Sequence, residues 1–243
     1  MHTSVPEALE LAAAIRDSLP AAPLAEVVIL PPFISLWPVG QLLGADGAVS
    51  VGAQDCFWKL AGAFTGEVSA SMLSSLCRYV LVGHSERRQL FGDTDEVVRR
   101  KLDAVLAAGL SPILAVGETL SDRDAGRAKE VIGGQTSSGL GGLEASQLLR
   151  CTVAYEPIWA IGSGRSAEPA DAAEAAQAIR AVVDGFSPGT ASKIRVLYGG
   201  SVTAASAAAL FAPDGVDGGL IGGASLDPAE FCAIVAAVGA VPS

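Results

Sequence analysis

The sequence predicts an α/β fold: a (β/α)8 barrel of parallel strands in which one strand, the first, is missing. Three observations carry this. Seven short apolar runs occur along the chain without polar alternation, as strands buried on both faces require. Helical patterns separate them, and strand–helix alternation builds a parallel sheet with helical crossovers. The 243 residues also match the roughly 250 of one such barrel. No low-complexity linker divides the chain, so residues 1–243 read as a single domain.

The elements follow in order. Ser4-x-x-Glu7, with Pro6 in the first turn, predicts a capping box and a helix whose face is Leu9, Ala12, Ala13 and Ile15. Val27–Leu30 is the first strand-like run, stopped by Pro31-Pro32. Further runs are Val49–Ala53, Tyr79–Val82, Pro112–Val116, Thr152–Tyr155, Ile194–Tyr198 and Gly219–Ile221. Val97, Val98, Leu102, Val105 and Leu106 mark a helix after Thr94, and another spans about Ala170 to Val183. Two more follow Thr203 and Asp227. The stretch Gly133–Gly142 is rich in glycine and is expected to be loop or frayed helix. An opening helix precedes the first of the seven runs, so the strand absent from an eight-strand ring is the first.

A net charge of −10 excludes nucleic acid and anionic membrane as natural partners, while an anionic small substrate remains possible if backbone N–H groups meet its charge. Cys56, Cys77, Cys151 and Cys232 are far apart, without C-x-x-C spacing, and read as reduced thiols. With only two histidines they form no plausible zinc site. No secretory leader or long apolar run is present, and the chain is expected to be soluble and cytoplasmic.

Four segments carry chemistry. His84 lies just past the run Tyr79–Val82, at the end of the strand that faces the active site in a parallel barrel. Alone it reads equally as a loop histidine, but Ser85, Glu86, Arg87 and Arg88 make a dense polar turn beside it. Glu156 follows Val153-Ala154-Tyr155 in the same way, and a lone carboxylate there reads equally as a surface group. The stiff Pro157-Ile158-Trp159 and the small apolar Ala160-Ile161-Gly162-Ser163-Gly164 come next. Such a loop suits a lid that excludes water. Tyr198-Gly199-Gly200-Ser201 and Gly222-Gly223-Ala224-Ser225 close the last two strands, where glycine amides and helix starts can cradle a phosphate.

Taken together, Gly83–Arg88, Ala154–Gly164, Tyr198–Ser201 and Leu220–Leu226 resemble the triosephosphate isomerase family, in family order. The resemblance implies a TIM barrel and the interconversion of dihydroxyacetone phosphate and D-glyceraldehyde 3-phosphate through an enediolate. It implies Glu156 as base and His84, neutral, as electrophile, with Ser85 and Glu86 supporting them. Gly162, Ser201, Gly222 and Gly223 would hold the phosphate, and Pro157–Arg165 would close as the lid. No metal and no organic cofactor are implied. Gln54 and Gly62–Glu67 look like the family's dimer loop, so a homodimer through Phe57–Glu67 is expected, its Phe57, Trp58, Leu60 and Phe64 being ill suited to water.

The chain departs from the family pattern chiefly at its start, and in smaller ways at Ala115, Asp55 and Arg165, where the family usually has cysteine, asparagine and lysine. Family members open on a strand ending Asn-x-Lys-Met, whose lysine reaches the phosphate and the oxyanion; here Met1 matches that methionine, and Lys59, Lys101, Lys129 and Lys193 lie elsewhere. The reading expects a native start upstream of Met1, and expects the literal chain to fold poorly and turn over little. Alternatives are an inactive truncated relic, a non-catalytic phosphate binder of the same fold, and another phosphate-binding barrel isomerase; the pairing of His84, Glu156 and the lid opposes the last.

Overall fold

The computed structural model describes residues 1–20, 23–45, 47–160 and 167–239. Seven strands form one sheet, all parallel and in chain order. They are β1 (Val27–Ile29), β2 (Val49–Ala53), β3 (Tyr79–Val82), β4 (Ser111–Val116), β5 (Thr152–Tyr155), β6 (Arg195–Tyr198) and β7 (Gly218–Gly219). Six of the seven apolar runs match a strand to within a residue, and the last, Gly219–Ile221, overlaps β7 only at Gly219. Among the described residues β1 pairs only with β2 and β7 only with β6.

The absence of alternation has a direct cause. On β3, Val80 and Val82 face outward into the layer shared with the helices, which includes Val98, Leu102 and Val105. Tyr79 and Leu81 face inward and meet Ile113, Ala115 and Ala154. Both faces are buried, so both are apolar. At the strands' N-terminal ends, Glu26 accepts a hydrogen bond from the Tyr79 hydroxyl and pairs with Arg195 at 2.5 Å, tying the approach to β1 onto β3 and β6.

The opening helix runs Val5–Ser18, with Ala8, Ala12 and Ile15 buried, and Glu7 reaches back to the Ser4 amide at 2.7 Å. Thr94 caps helix Asp95–Ala107, accepting from the Val97 amide at 3.3 Å. Helices Pro169–Phe186, Ala204–Phe211 and Pro228–Gly239 stand where periodicity places them.

One expectation fails. Helix Ala128–Leu140 runs through most of Gly133–Gly142, the stretch expected to be loop or frayed. Packing overrides propensity here. A Cβ on Gly139 would stand 2.5 Å from the Leu114 side chain of β4, so this glycine lets the helix lie close on the sheet. Thr136 and Leu140 are fully buried, and the helix ends with the Gly141 amide on Ser137 O at 2.8 Å.

Candidate active site

The chemistry-bearing residues gather at the C-terminal ends of the strands. β3 ends at Val82, and Gly83 turns the chain with φ +75°, in the region glycine favours. His84 then caps the short helix Ser85–Leu90: its Nδ1 accepts the Glu86 amide at 3.3 Å. An accepting Nδ1 carries no proton, so in neutral His84 the proton sits on Nε2.

Glu156 lies one residue past β5. Its amide donates to Val116 O at 2.8 Å, and next door Gly199 N donates to Tyr155 O at 2.7 Å, so the backbone beneath the carboxylate is held from both sides. The carboxylate meets His84 Nε2 at 2.9 Å through Oε1 and accepts the Ser85 amide at 2.8 Å through Oε2. Glu156 is 2 % exposed. Burial pulls His84 toward the neutral form, but the adjacent Glu156 carboxylate and the more distant Glu86 outweigh it, and the imidazole titrates above its ordinary value.

Two glycines make room for this carboxylate. A Cβ on Gly117 would lie 1.8 Å from the Glu156 carbonyl oxygen, and one on Gly199 would lie 3.0 Å from Glu156 Cγ. Gly117 requires glycine because the Glu156 backbone passes through the space a side chain would fill, and at Gly199 a side chain would press on Glu156 and the Tyr155 carbonyl.

Of the residues singled out in the sequence, His84, Ser85 and Glu156 form one hydrogen-bonded cluster. Ser85 contributes its backbone N–H to it. Glu86 contributes its amide also, while its carboxylate is largely exposed and 3.9 Å from His84 Nδ1. Ser201 follows β6, and its hydroxyl donates to Ala160 O at 3.3 Å, reaching the root of the expected lid. Gly222 and Gly223 are exposed beyond β7 with open space where a Cβ would stand. Gly162 lies outside the described residues, and of the Pro157–Arg165 segment only 157–160 are described, with Ile158–Ala160 forming a 3₁₀ turn. Among the described residues no lysine or arginine pairs with Glu156 or His84.

Sequence reasoning missed Glu118. It is fully buried just past β4, and its Oε1 accepts from Trp159 Nε1 at 2.7 Å, Tyr155 Oη at 3.0 Å and Arg123 at 3.3 Å. The Arg123 guanidinium lies 4.3 Å over the Trp159 ring. Burial and the Glu118 carboxylate push the Tyr155 hydroxyl well up, so it stays a donor. Trp159, just before the undescribed part of the expected lid, is thereby anchored. The signal was present: Glu118 sits at a strand's C-terminal end, as His84 and Glu156 do.

Comparison with known proteins agrees with this geometry. A sequence model described as triosephosphate isomerase matches residues 1–238. The triosephosphate isomerase of Moorella thermoacetica is 49% identical over 237 residues, covering 97% of this chain and 94% of its own. Those of Symbiobacterium thermophilum and Dechloromonas aromatica are 48% and 47% identical, over 98% and 96% of this chain and 93% and 94% of their own. A parallel barrel sheet with a carboxylate and an imidazole facing each other at its strand ends, matched along nearly its whole length, belongs to the triosephosphate isomerase family of aldose–ketose isomerases.

Proposed function

We propose that the chain interconverts dihydroxyacetone phosphate and D-glyceraldehyde 3-phosphate by proton transfer, with Glu156 as base and His84 as electrophile. The observation that carries this is the 2.9 Å contact between Glu156 Oε1 and His84 Nε2 at the ends of β5 and β3. A substrate whose carbonyl oxygen faces His84 and whose adjacent C–H faces Glu156 parts the two. Glu156 takes the carbon-bound proton, the electron pair moves onto the carbonyl oxygen, and the His84 Nε2–H meets the charge that develops. His84 relays the hydroxyl proton of the deprotonated carbon to the former carbonyl oxygen, and Glu156 returns its proton to the neighbouring carbon, which completes the isomerisation. Parting the pair also removes what holds His84 up. Burial and the Glu86 amide on Nδ1 then both favour the neutral imidazole, which is the form able to donate from Nε2.

The amides around Ser201, Gly222 and Gly223, with Gly162, are the proposed phosphate cradle, supported by the open space over both terminal glycines. Ser85 and Glu86 support the site through their amides. Among the described residues β1 pairs only with β2 and β7 only with β6, whereas a ring of eight strands pairs both edges of every strand. The loop Phe57–Glu67 supports a homodimer: Phe57 packs against Phe64 in a tilted pair with ring centroids at 4.7 Å, while Leu60 remains 77% exposed. Residues 1–243 form one domain in this reading, and the enzyme serves glycolysis and gluconeogenesis in the cytoplasm. Among the described residues no helix is long and apolar enough to cross a membrane.

Glu156→Asp tests the assignment. Withdrawing the carboxylate by one methylene is expected to lower kcat ~100-fold or more while binding of a phosphate ligand survives. Unchanged isomerisation would mean that Glu156 is not the base.

A further inference from the structure

The helix that follows His84 is held in an unusual way. Ser85–Leu90 has six residues, too few to be stable alone. Ser85 is its only buried residue, and Leu90 and the following Phe91 are exposed at 74% and 66%. Apolar packing therefore does not fix it. Two arginines do. Arg88 donates to Gly83 O at 2.7 Å and pairs with Asp95 at 2.6 Å. Arg87 reaches inward, its Nε 2.8 Å from Asp55 and 3.2 Å from Asp93.

The far side of that contact is rigid. Asp55 follows β2 and is 7% exposed. Lys101, on helix Asp95–Ala107, is 1% exposed and donates to both Asp55 oxygens, at 2.8 and 3.0 Å, and to Asp93 at 2.5 Å. Two cations and two carboxylates thus meet in the interior with their charges balanced.

We propose, on the isomerase reading above, that Asp55 is a positioning residue for His84: by holding Arg87 it fixes the first turn of helix Ser85–Leu90 and keeps the Glu86 amide on His84 Nδ1. The connection is short. Arg87 N donates to His84 O at 2.9 Å, and the Glu86 amide stands one residue before Arg87. The Glu86–Nδ1 bond is already long at 3.3 Å, so a small rotation of the turn breaks it. With that donor gone, Nδ1 can take the proton, and Nε2 loses the hydrogen with which it meets the substrate oxygen. Asp55 touches neither His84 nor Glu156; its path to His84 runs through Arg87, which it holds at 2.8 Å together with Asp93 at 3.2 Å.

Asp55→Ala removes the nearer partner of Arg87 Nε, at 2.8 Å, and leaves Asp93 at 3.2 Å as its remaining acceptor, whereas Asp55→Asn keeps an oxygen for Arg87 and removes only the charge. Each is made in a His2→Gln background, which leaves His84 the sole histidine. Imidazole ¹⁵N spectra then report its tautomer without reference to activity. In the parent, Nδ1 is expected to resonate as an unprotonated nitrogen. Asp55→Ala is expected to give mixed tautomers and a kcat ~10- to 100-fold lower with KM little changed. Asp55→Asn is expected to restore most of both losses, even where its urea midpoint stays low. The proposal is overturned if Asp55→Ala keeps the parent tautomer and kcat, or if Asp55→Asn is as impaired as Asp55→Ala. Should Asp55→Ala not fold, Asp55→Leu with Lys101→Met keeps the buried charge balanced while still removing the acceptor, and is read in the same way. If the parent itself does not isomerise, the functional reading fails, and the tautomer still decides on the clamp.

Discussion

Gly117→Ala is a demanding test of how closely the proposed base, Glu156, is built into the sheet. Gly117 follows β4, and its amide and carbonyl are both held by the Gln135 side chain, at 2.8 and 3.3 Å. An added Cβ would stand 1.8 Å from the Glu156 carbonyl oxygen and 2.7 Å from its carbon, where ordinary contact begins at 3.4 Å. The two backbones must separate by about 1.6 Å to accommodate it, and neither can turn aside as a side chain would. Glu156 N–Val116 O at 2.8 Å would stretch or break, and the carboxylate would leave both His84 and the Ser85 amide. Overpacking of this kind costs ~1–3 kcal/mol. Misplacing a reacting group by about 1 Å costs ~100-fold in rate, so a ~100- to 1,000-fold fall in kcat is expected. A coupled isomerisation assay and a urea titration read the two effects. Gly134→Ala is the control: it lies within helix Ala128–Leu140 with nothing near its would-be Cβ, and should gain ~0.5–1 kcal/mol at unchanged kcat. A folded Gly117→Ala with full activity would refute the argument, because Glu156 would then tolerate a displacement that the mechanism forbids.

Three further outcomes are expected. Lys101→Met leaves Asp55 and Asp93 with a single cation and should cost ~3–5 kcal/mol in a urea titration; a loss below about 1 kcal/mol would mean that water reaches the site. His84 titrates above the ordinary 6.5 beside Glu156, so the stability this pair confers is whole below pH 6.5 and is lost as pH rises through the raised value. The difference in urea midpoint between the parent and Glu156→Gln should therefore shrink with rising pH, and a difference that grows would reverse the sign of the coupling. Burial pushes the Cys56 and Cys151 thiols up to about 12 and Cys77 to about 11, so alkylation at pH ~8 should be slow in the native protein and rapid in urea, as read by mass spectrometry. Fast native labelling of Cys56 would show that the interior around Lys101 opens.

The sequence by itself determined the barrel and the identity of its central pair. Runs such as Tyr79–Val82 and Thr152–Tyr155 are apolar on both faces, and that property is written residue by residue. His84 and Glu156 each stand directly after such a run, so parallel topology sends both to the same end of the sheet without any knowledge of distances. The remainder depended on contacts between residues far apart in the chain. Helix Ala128–Leu140 forms through its glycines because Gly139 fits against Leu114, a neighbour 25 positions away that local propensity does not see. Lys101 looks like any helical lysine until the fold brings Asp55, 46 positions away, within 2.8 Å of it. Glu118 and Trp159 are separated by 41 positions and share one buried hydrogen bond. Ser85 and Glu86 enter the site through backbone N–H groups, which every non-proline residue carries, so their side chains said little about the part they play. Periodicity records which way a residue faces; which residue it meets there is decided only when the sheet curls and its strand ends converge.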